Sequence, residues 1–145
     1  MFSLQVLKKP SFYFSQKVID NISYSISNTI KKKQNWVINI VFLDPQDIQY
    51  FNMKYRKKDA VTDVLSFHYH ENYDMLHDED LAWEIILCEA LIISQGTNYN
   101  IGAEKEFYKL IIHSLIHILW YDHETDEQYK TMRQIEETIW NDVCK

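Results

Sequence analysis

Cysteine is scarce: Cys88 and Cys144 are the only two, and they match neither a zinc-finger ligand spacing nor a disulfide framework. Long apolar runs are missing as well. No stretch approaches the roughly 18 uninterrupted apolar residues that a membrane span needs, so no membrane partner is expected. The opening segment, MFSLQVLKKP, has neither the apolar centre nor the small-residue cleavage site of a secretory signal. The expected location is cytoplasmic. Positive charge is in deficit, and a net charge of −6 argues against indiscriminate coating of nucleic acid through a broad basic field. A local basic groove stays open, with Lys31 to Lys33 and the group Lys54, Arg56, Lys57 and Lys58 as candidates. The first of these reads more simply as solvated cations at a helix C-terminus, where they complement the dipole. Low-complexity linkers and internal repeats are also absent, and 145 residues suit one domain with a core large enough to fold unaided. Residues 1–145 are therefore expected to form a single domain.

What is present alternates between strand and helix signals. Leu4 to Leu7 reads as a short edge strand stopped at Pro10. Ser11 looks like the N-cap of a helix to about Thr29, with Phe14, Val18, Ile22 and Ile26 at four-residue spacing. The β-branched run Trp36 to Leu43 predicts a strand, and Asp44-Pro45 a helix start for a helix carrying Ile48, Phe51, Asn52 and Tyr55. Asp63 to His70 suggests another strand, followed by a polar loop. The segment WEIILCEA reads as a strand leading into a helix near Glu89 to Tyr99. After Gly96 and Gly102, a long helix is expected from about Ala103 to Leu119. The last helix has Thr125 as N-cap with Gln128 in capping-box register. Strands and helices mix without regular β-α alternation, which predicts an α+β fold: a small mixed sheet with about five helices, and a metal site at the end of the long central helix.

That site rests on the segment HSLIHILWYDH. A four-residue step on a helix rotates by about 40°, so His113 and His117 share a face one turn apart. Six further residues would turn His123 about 120° away if the helix continued. Convergence of all three rings requires the helix to stop near Leu119 and the chain to double back through Trp120, Tyr121 and Asp122. A lone histidine in an apolar helix is usually a buried neutral imidazole bonded to a carbonyl. Two at this spacing weaken that explanation, because burying both needs two sets of polar partners. A third beyond a helix break reverses it. Three imidazoles suit zinc or a similar late transition metal, and three protein ligands leave a fourth position for water, the catalytic arrangement. Such a water has its pKa drawn toward roughly 7, which makes hydrolysis the leading reaction class.

The spacing H-x3-H-x5-H also occurs in metzincin proteases, where a glutamate after the first histidine is the general base. Ser114 stands there and cannot take a carboxylate's role, and Trp120 replaces the pattern's glycine. A peptidase is disfavoured. The segment instead resembles the YbeY endoribonucleases, bacterial ribosomal-RNA maturation factors with the signature H-G-x-L-H-L-x-G-Y-D-H. A second family segment, N-x-x-Y-R-x-K-D-x-P-T-D-V-L-S-F, is similar to NMKYRKKDAVTDVLSF from Asn52 to Phe67. The resemblance covers the whole chain. It implies a zinc-dependent, single-strand-specific endoribonuclease that acts at the 3′ end of small-subunit ribosomal RNA and in ribosome quality control. It further implies one zinc ion on His113, His117 and His123, with His113 also catalytic. The family's arginine falls on Arg56, where a guanidinium could grip the scissile phosphate bidentately and offset its developing charge.

Several positions depart from the family pattern: Ser114 and Trp120 for glycines, Val61 for a proline, and Trp83-Glu84 for a Gly-Asp pair. A glycine at position 120 could turn the chain through positive φ, a conformation strained for Trp. Either the turn takes another form or His123 sits less well on the metal. His68, His70 and His77 read as solvent-exposed, and Thr62 and Asp63 as residues that fix a turn. Asp122 is either a turn former or an orienter of a ligand. Tyr13, Tyr24 and Tyr50 are too scattered in sequence for a base-stacking platform. Two further functions stay open, a metzincin-like metalloprotease and a non-catalytic ribosome-associated factor with a structural metal.

Overall fold

The computed structural model describes residues 2–29, 36–68, 81–119 and 125–144. Its elements, in chain order, are β1 (Ser3–Val6), α1 (Gln16–Thr29), β2 (Val37–Leu43), α2 (Pro45–Arg56), β3 (Val64–His68), β4 (Leu81–Cys88), α3 (Glu89–Asn98), α4 (Gly102–Leu119) and α5 (Asp126–Val143). The four strands form one sheet in the order β1-β2-β4-β3. β1, β2 and β4 run parallel, and β3 pairs antiparallel with β4. This is the expected α+β architecture, with a mixed sheet and, among the described residues, five helices.

The strand sequences show which faces are covered. β2 alternates, burying Ile38, Ile40 and Phe42, as period-2 geometry requires. β4 instead buries four consecutive residues, Ile85 to Cys88. Such a run marks a strand covered on both faces. Ile85 and Leu87 join the larger cluster built with Ile19, Ile22, Phe107, Ile111 and Leu115. Ile86 and Cys88 join Ile48 of α2 and Leu65 of β3 on the opposite side.

Local signals decide most helix ends. At α5, the Gln128 amide donates to Thr125 Oγ1 and the Thr125 amide to Gln128 Oε1, both at 3.2 Å, so the capping box forms as read. Asp44 and Pro45 open α2, although the Asp44 side chain makes no cap bond. The start of α1 differs from expectation. Helix begins at Gln16, and Ser15, not Ser11, accepts the early amides: Val18 N–H donates to Ser15 Oγ at 3.4 Å and Ile19 N–H to its carbonyl at 3.2 Å. The Ser11 amide donates instead to the Glu89 carboxylate. The reason is tertiary. Phe12 packs edge-on against Phe42 and Phe107, with centroids 5.8 and 5.7 Å apart, and Phe14 lies 5.5 Å from Phe107. Aromatic packing worth about 0.5–1.5 kcal/mol per pair keeps residues 11–15 out of the helix and seats Phe12 and Phe14 on the core.

α4 packs against α3, α5, α1 and β3. Its entry depends on Gly96: a Cβ there would lie 2.5 Å from the carbonyl carbon and oxygen of Gly102. Both neighbours are backbone and cannot swing away. Gly96→Ala is expected to destabilise the protein by about 1–3 kcal/mol, the usual penalty for overpacking, read as a lower urea midpoint with an unchanged slope.

Candidate metal and phosphate site

The C-terminal half of α4 is buried except at two positions. From Ile111 to Leu119 only His113 and His117 are exposed; Ile112, Ser114, Leu115, Ile116 and Ile118 all face protein. Helical periodicity places the two imidazoles one turn apart on the single open stripe. His113 is held from the next helix: its Nδ1 lies 2.5 Å from Glu136 Oε1 of α5. This hydrogen bond raises the His113 pKa; burial opposes the shift, and the charges of Glu136 and Asp63 add to it. A carboxylate accepting from Nδ1 favours the tautomer with the lone pair on Nε2, which is also the tautomer of metal-binding histidines that a carboxylate backs.

Asp63 enters from the sheet. It precedes β3, and its carbonyl accepts the Cys88 amide at 2.9 Å, while Thr62 Oγ1 donates to the Val64 carbonyl at 3.4 Å. Both residues thus anchor the turn into the strand, and the Asp63 carboxylate adds negative potential at His113 and at Glu106.

Glu106 went unnoticed in the sequence. It lies seven residues before His113, on the same stripe two turns earlier, yet it is only 4% exposed. Its Oε2 has no hydrogen-bond partner among the described residues. Burial raises its pKa, Lys109 opposes the shift and Asp63 reinforces it. An acid whose pKa is higher in the fold binds its proton more tightly there than in the unfolded chain. Its ionisation therefore erodes stability as pH rises from the unfolded value of 4.5 through the folded one. Glu106→Gln is expected to flatten that part of the profile, raising the thermal midpoint at neutral pH relative to wild type and leaving it nearly unchanged in acid.

Arg56 is the last residue of α2 and is exposed. The corner beneath it is fixed. Lys57 takes a left-handed conformation at φ 58°, its amide donates to the Met53 carbonyl at 3.1 Å, and the Lys58 amide donates to Asn52 at 3.3 Å. The Lys57 bond is that of the αL motif that commonly closes a helix, and the Lys58 bond ties the following residue back to the same turn. The Asn52 side chain, 2% exposed, then donates to the Ala60 carbonyl at 2.8 Å, and Gln49 donates to Asp59 at 2.9 Å. The loop from Arg56 to Asp63 is thereby tied to α2 at one end and presented to α4 at the other.

His123 lies outside the described residues, as do Trp120, Tyr121 and Asp122, where the chain reversal is expected. Lys31 to Lys33, His70 and His77 lie outside them too. His68 closes β3 in register with Trp83. Among the described residues no group of three His, Cys, Asp or Glu is placed to hold a metal ion. The donor chemistry that is described fits one: two exposed imidazoles at one-turn spacing, one backed by a carboxylate, in a locally negative field.

Comparison with known proteins gives a consistent result. A family model described as "Endoribonuclease YbeY" matches residues 8–143. A protein of Fusobacterium nucleatum named "Endoribonuclease YbeY" is 41% identical over 103 residues, covering 70% of this chain and 64% of that protein, so the match spans less than two thirds of that relative's length. A protein of the same name from Syntrophomonas wolfei is 33% identical over 134 residues, covering 88% of this chain and 86% of that one. The solution structure of a Thermotoga maritima protein shares the fold with a TM-score of 0.59 at 22% identity, over 97% of this chain and 90% of that one.

Proposed function

This chain belongs to the endoribonuclease YbeY family, and on that premise we propose that it is a zinc-dependent, single-strand-specific endoribonuclease. Its proposed substrate is ribosomal RNA, notably the 3′ end of the small-subunit RNA, and its proposed setting is ribosome maturation and quality control in the cytoplasm. The reading takes residues 1–145 as one catalytic domain. Among the described residues no helix is long and apolar enough to cross a membrane.

The observation that carries the reading is the pair His113 and His117, the only exposed side chains on the last turns of a buried helix, with His113 backed by Glu136. His113, His117 and His123 are the residues that would hold zinc. When bound, the ion supplies Lewis acidity toward a phosphodiester oxygen. The other parts belong to the chain itself. Glu136 fixes the His113 tautomer and ring plane. Arg56 presents a planar guanidinium that pairs with two phosphate oxygens and neutralises charge as the phosphorus is attacked.

The structure weakens the peptidase alternative further. Ser114, where a metzincin carries its general base, is 4% exposed and points into the core, away from the histidine stripe. The deciding experiment is cleavage of single-stranded and duplex RNA by the purified protein, alongside metal analysis. Cleavage of the single strand that falls in both His113→Ala and Arg56→Ala is expected; equal cleavage in both variants would trace the activity to a contaminant. Glu136→Gln is expected to weaken zinc binding by about 10- to 100-fold, the usual cost of losing a carboxylate behind a ligand. Competition with a chromophoric chelator measures it.

A further inference from the structure

The paired histidines and Arg56 leave one surface of α2 unexplained. Tyr50 and Tyr55 are 60% and 55% exposed, and unlike the other exposed tyrosines they are set close together on one helix beside Arg56. They belong to a continuous aromatic strip. Tyr50 meets Phe51 edge-on at 5.5 Å, Phe51 and Tyr55 are nearly parallel at 6.0 Å and 10°, and Tyr55 meets Phe67 of β3 at 5.1 Å. Phe51 and Phe67 have a structural task, since both pack against the cluster of Ile48, Leu65 and Ile86. The two tyrosines continue the strip outward, beyond what core packing needs.

Cations are interleaved with the rings. Lys54 Nζ lies 5.8 Å from the Tyr50 ring centre and 5.3 Å from that of Tyr55. Arg56, Lys57 and Lys58 follow directly in the chain. The protein as a whole carries −6, so this concentration of positive charge is local and sits beside the proposed phosphate ligand. Exposed π-faces next to flexible ammonium groups are what an unpaired nucleotide can use: the base stacks and the phosphate finds a cation. A duplex offers no such base faces, because they are already stacked on their neighbours.

We propose that Tyr50 and Tyr55 form a base-stacking subsite for single-stranded RNA, flanking the phosphate held by Arg56, with Lys54 released from the rings to a neighbouring phosphate when a base takes its place. This rests on the nuclease reading and deepens it, giving a physical source for single-strand preference. Stacking needs the ring and not its hydroxyl, so phenylalanine serves at either position and leucine does not.

The test is fluorescence anisotropy of a short labelled single-stranded RNA of mixed sequence, titrated with the full chain. Tyr55→Leu and Tyr50→Leu are each expected to weaken binding by about 5- to 100-fold, the range for loss of one stacked base. Tyr55→Phe and Tyr50→Phe restore the wild-type affinity, and Tyr24→Leu, at an exposed tyrosine on α1, leaves it unchanged. An abasic strand should bind wild type at least as weakly as either leucine variant binds the ordinary strand, and on the abasic strand the variants and wild type should bind alike. Tyr50→Leu, whose ring does not reach β3, covers the case in which Tyr55→Leu fails to fold. Wild-type binding matched by both leucine variants would overturn the stacking subsite and leave the nuclease reading standing. Wild type with no affinity for single-stranded RNA would overturn both.

Discussion

Replacing His117 with alanine is expected to empty the metal site and lower RNA cleavage on the order of 10³-fold, the scale on which removal of a principal electrostatic stabiliser is felt. The fold gives this variant unusual clarity. His117 is exposed on a helix whose other late positions, His113 apart, are buried, so truncation opens no cavity. Alanine is also the best helix former. The partial cost is the loss of a basic group from the last turn of α4, worth about 0.3–1 kcal/mol against the helix dipole when the ring is protonated. The thermal midpoint should therefore hardly move while bound zinc and activity fall together. His113→Ala is expected to do the same chemically and somewhat more structurally, because it strips Glu136 of its partner. Metal content by mass spectrometry, a melting curve and a cleavage assay on the same preparations separate the two effects. A His117→Ala protein that keeps both its metal and its rate would remove the histidine pair from the mechanism.

How much of this was legible beforehand depended on whether the deciding contact was local. The capping box at Thr125 and Gln128, the helix start at Asp44-Pro45 and the histidine stripe of α4 are set within a few residues, and their spacing alone revealed them. The start of α1 was misread because Phe12 and Phe14 are recruited by Phe42 and Phe107, which are remote in sequence; a serine at position 11 says nothing of that. Glu136 was invisible for the same reason, since its bond to His113 joins two helices. Glu106 had a usable signal, its seven-residue offset from His113, but a glutamate on a helix is ordinarily solvated and burial shows only in three dimensions. The tyrosines are scattered in sequence, and the strip that joins Tyr50 to Tyr55 is completed by Phe67 from a neighbouring strand.

Arg56→Ala is expected to reduce kcat/KM for single-stranded RNA by about 10²- to 10³-fold, comparable to losing one donor aimed at developing negative charge. Stability should stay within about 0.5 kcal/mol, as for other surface substitutions, because Arg56 is exposed and the corner under it is held by other groups. Those groups are the left-handed Lys57, the paired amide bonds to Asn52 and Met53, and the buried Asn52 side chain. The informative comparison is with lysine. A guanidinium meets two phosphate oxygens in one plane, whereas an ammonium is a point charge on a flexible stem. If bidentate pairing is what Arg56 contributes, Arg56→Lys recovers affinity for RNA, seen in KM, but little of kcat. If it contributes only attraction, lysine restores both and the salt dependence of the rate is unchanged. Full activity in Arg56→Ala would instead place phosphate neutralisation elsewhere on the surface, with Lys54, Lys57 and Lys58 as the nearest cations in sequence to examine.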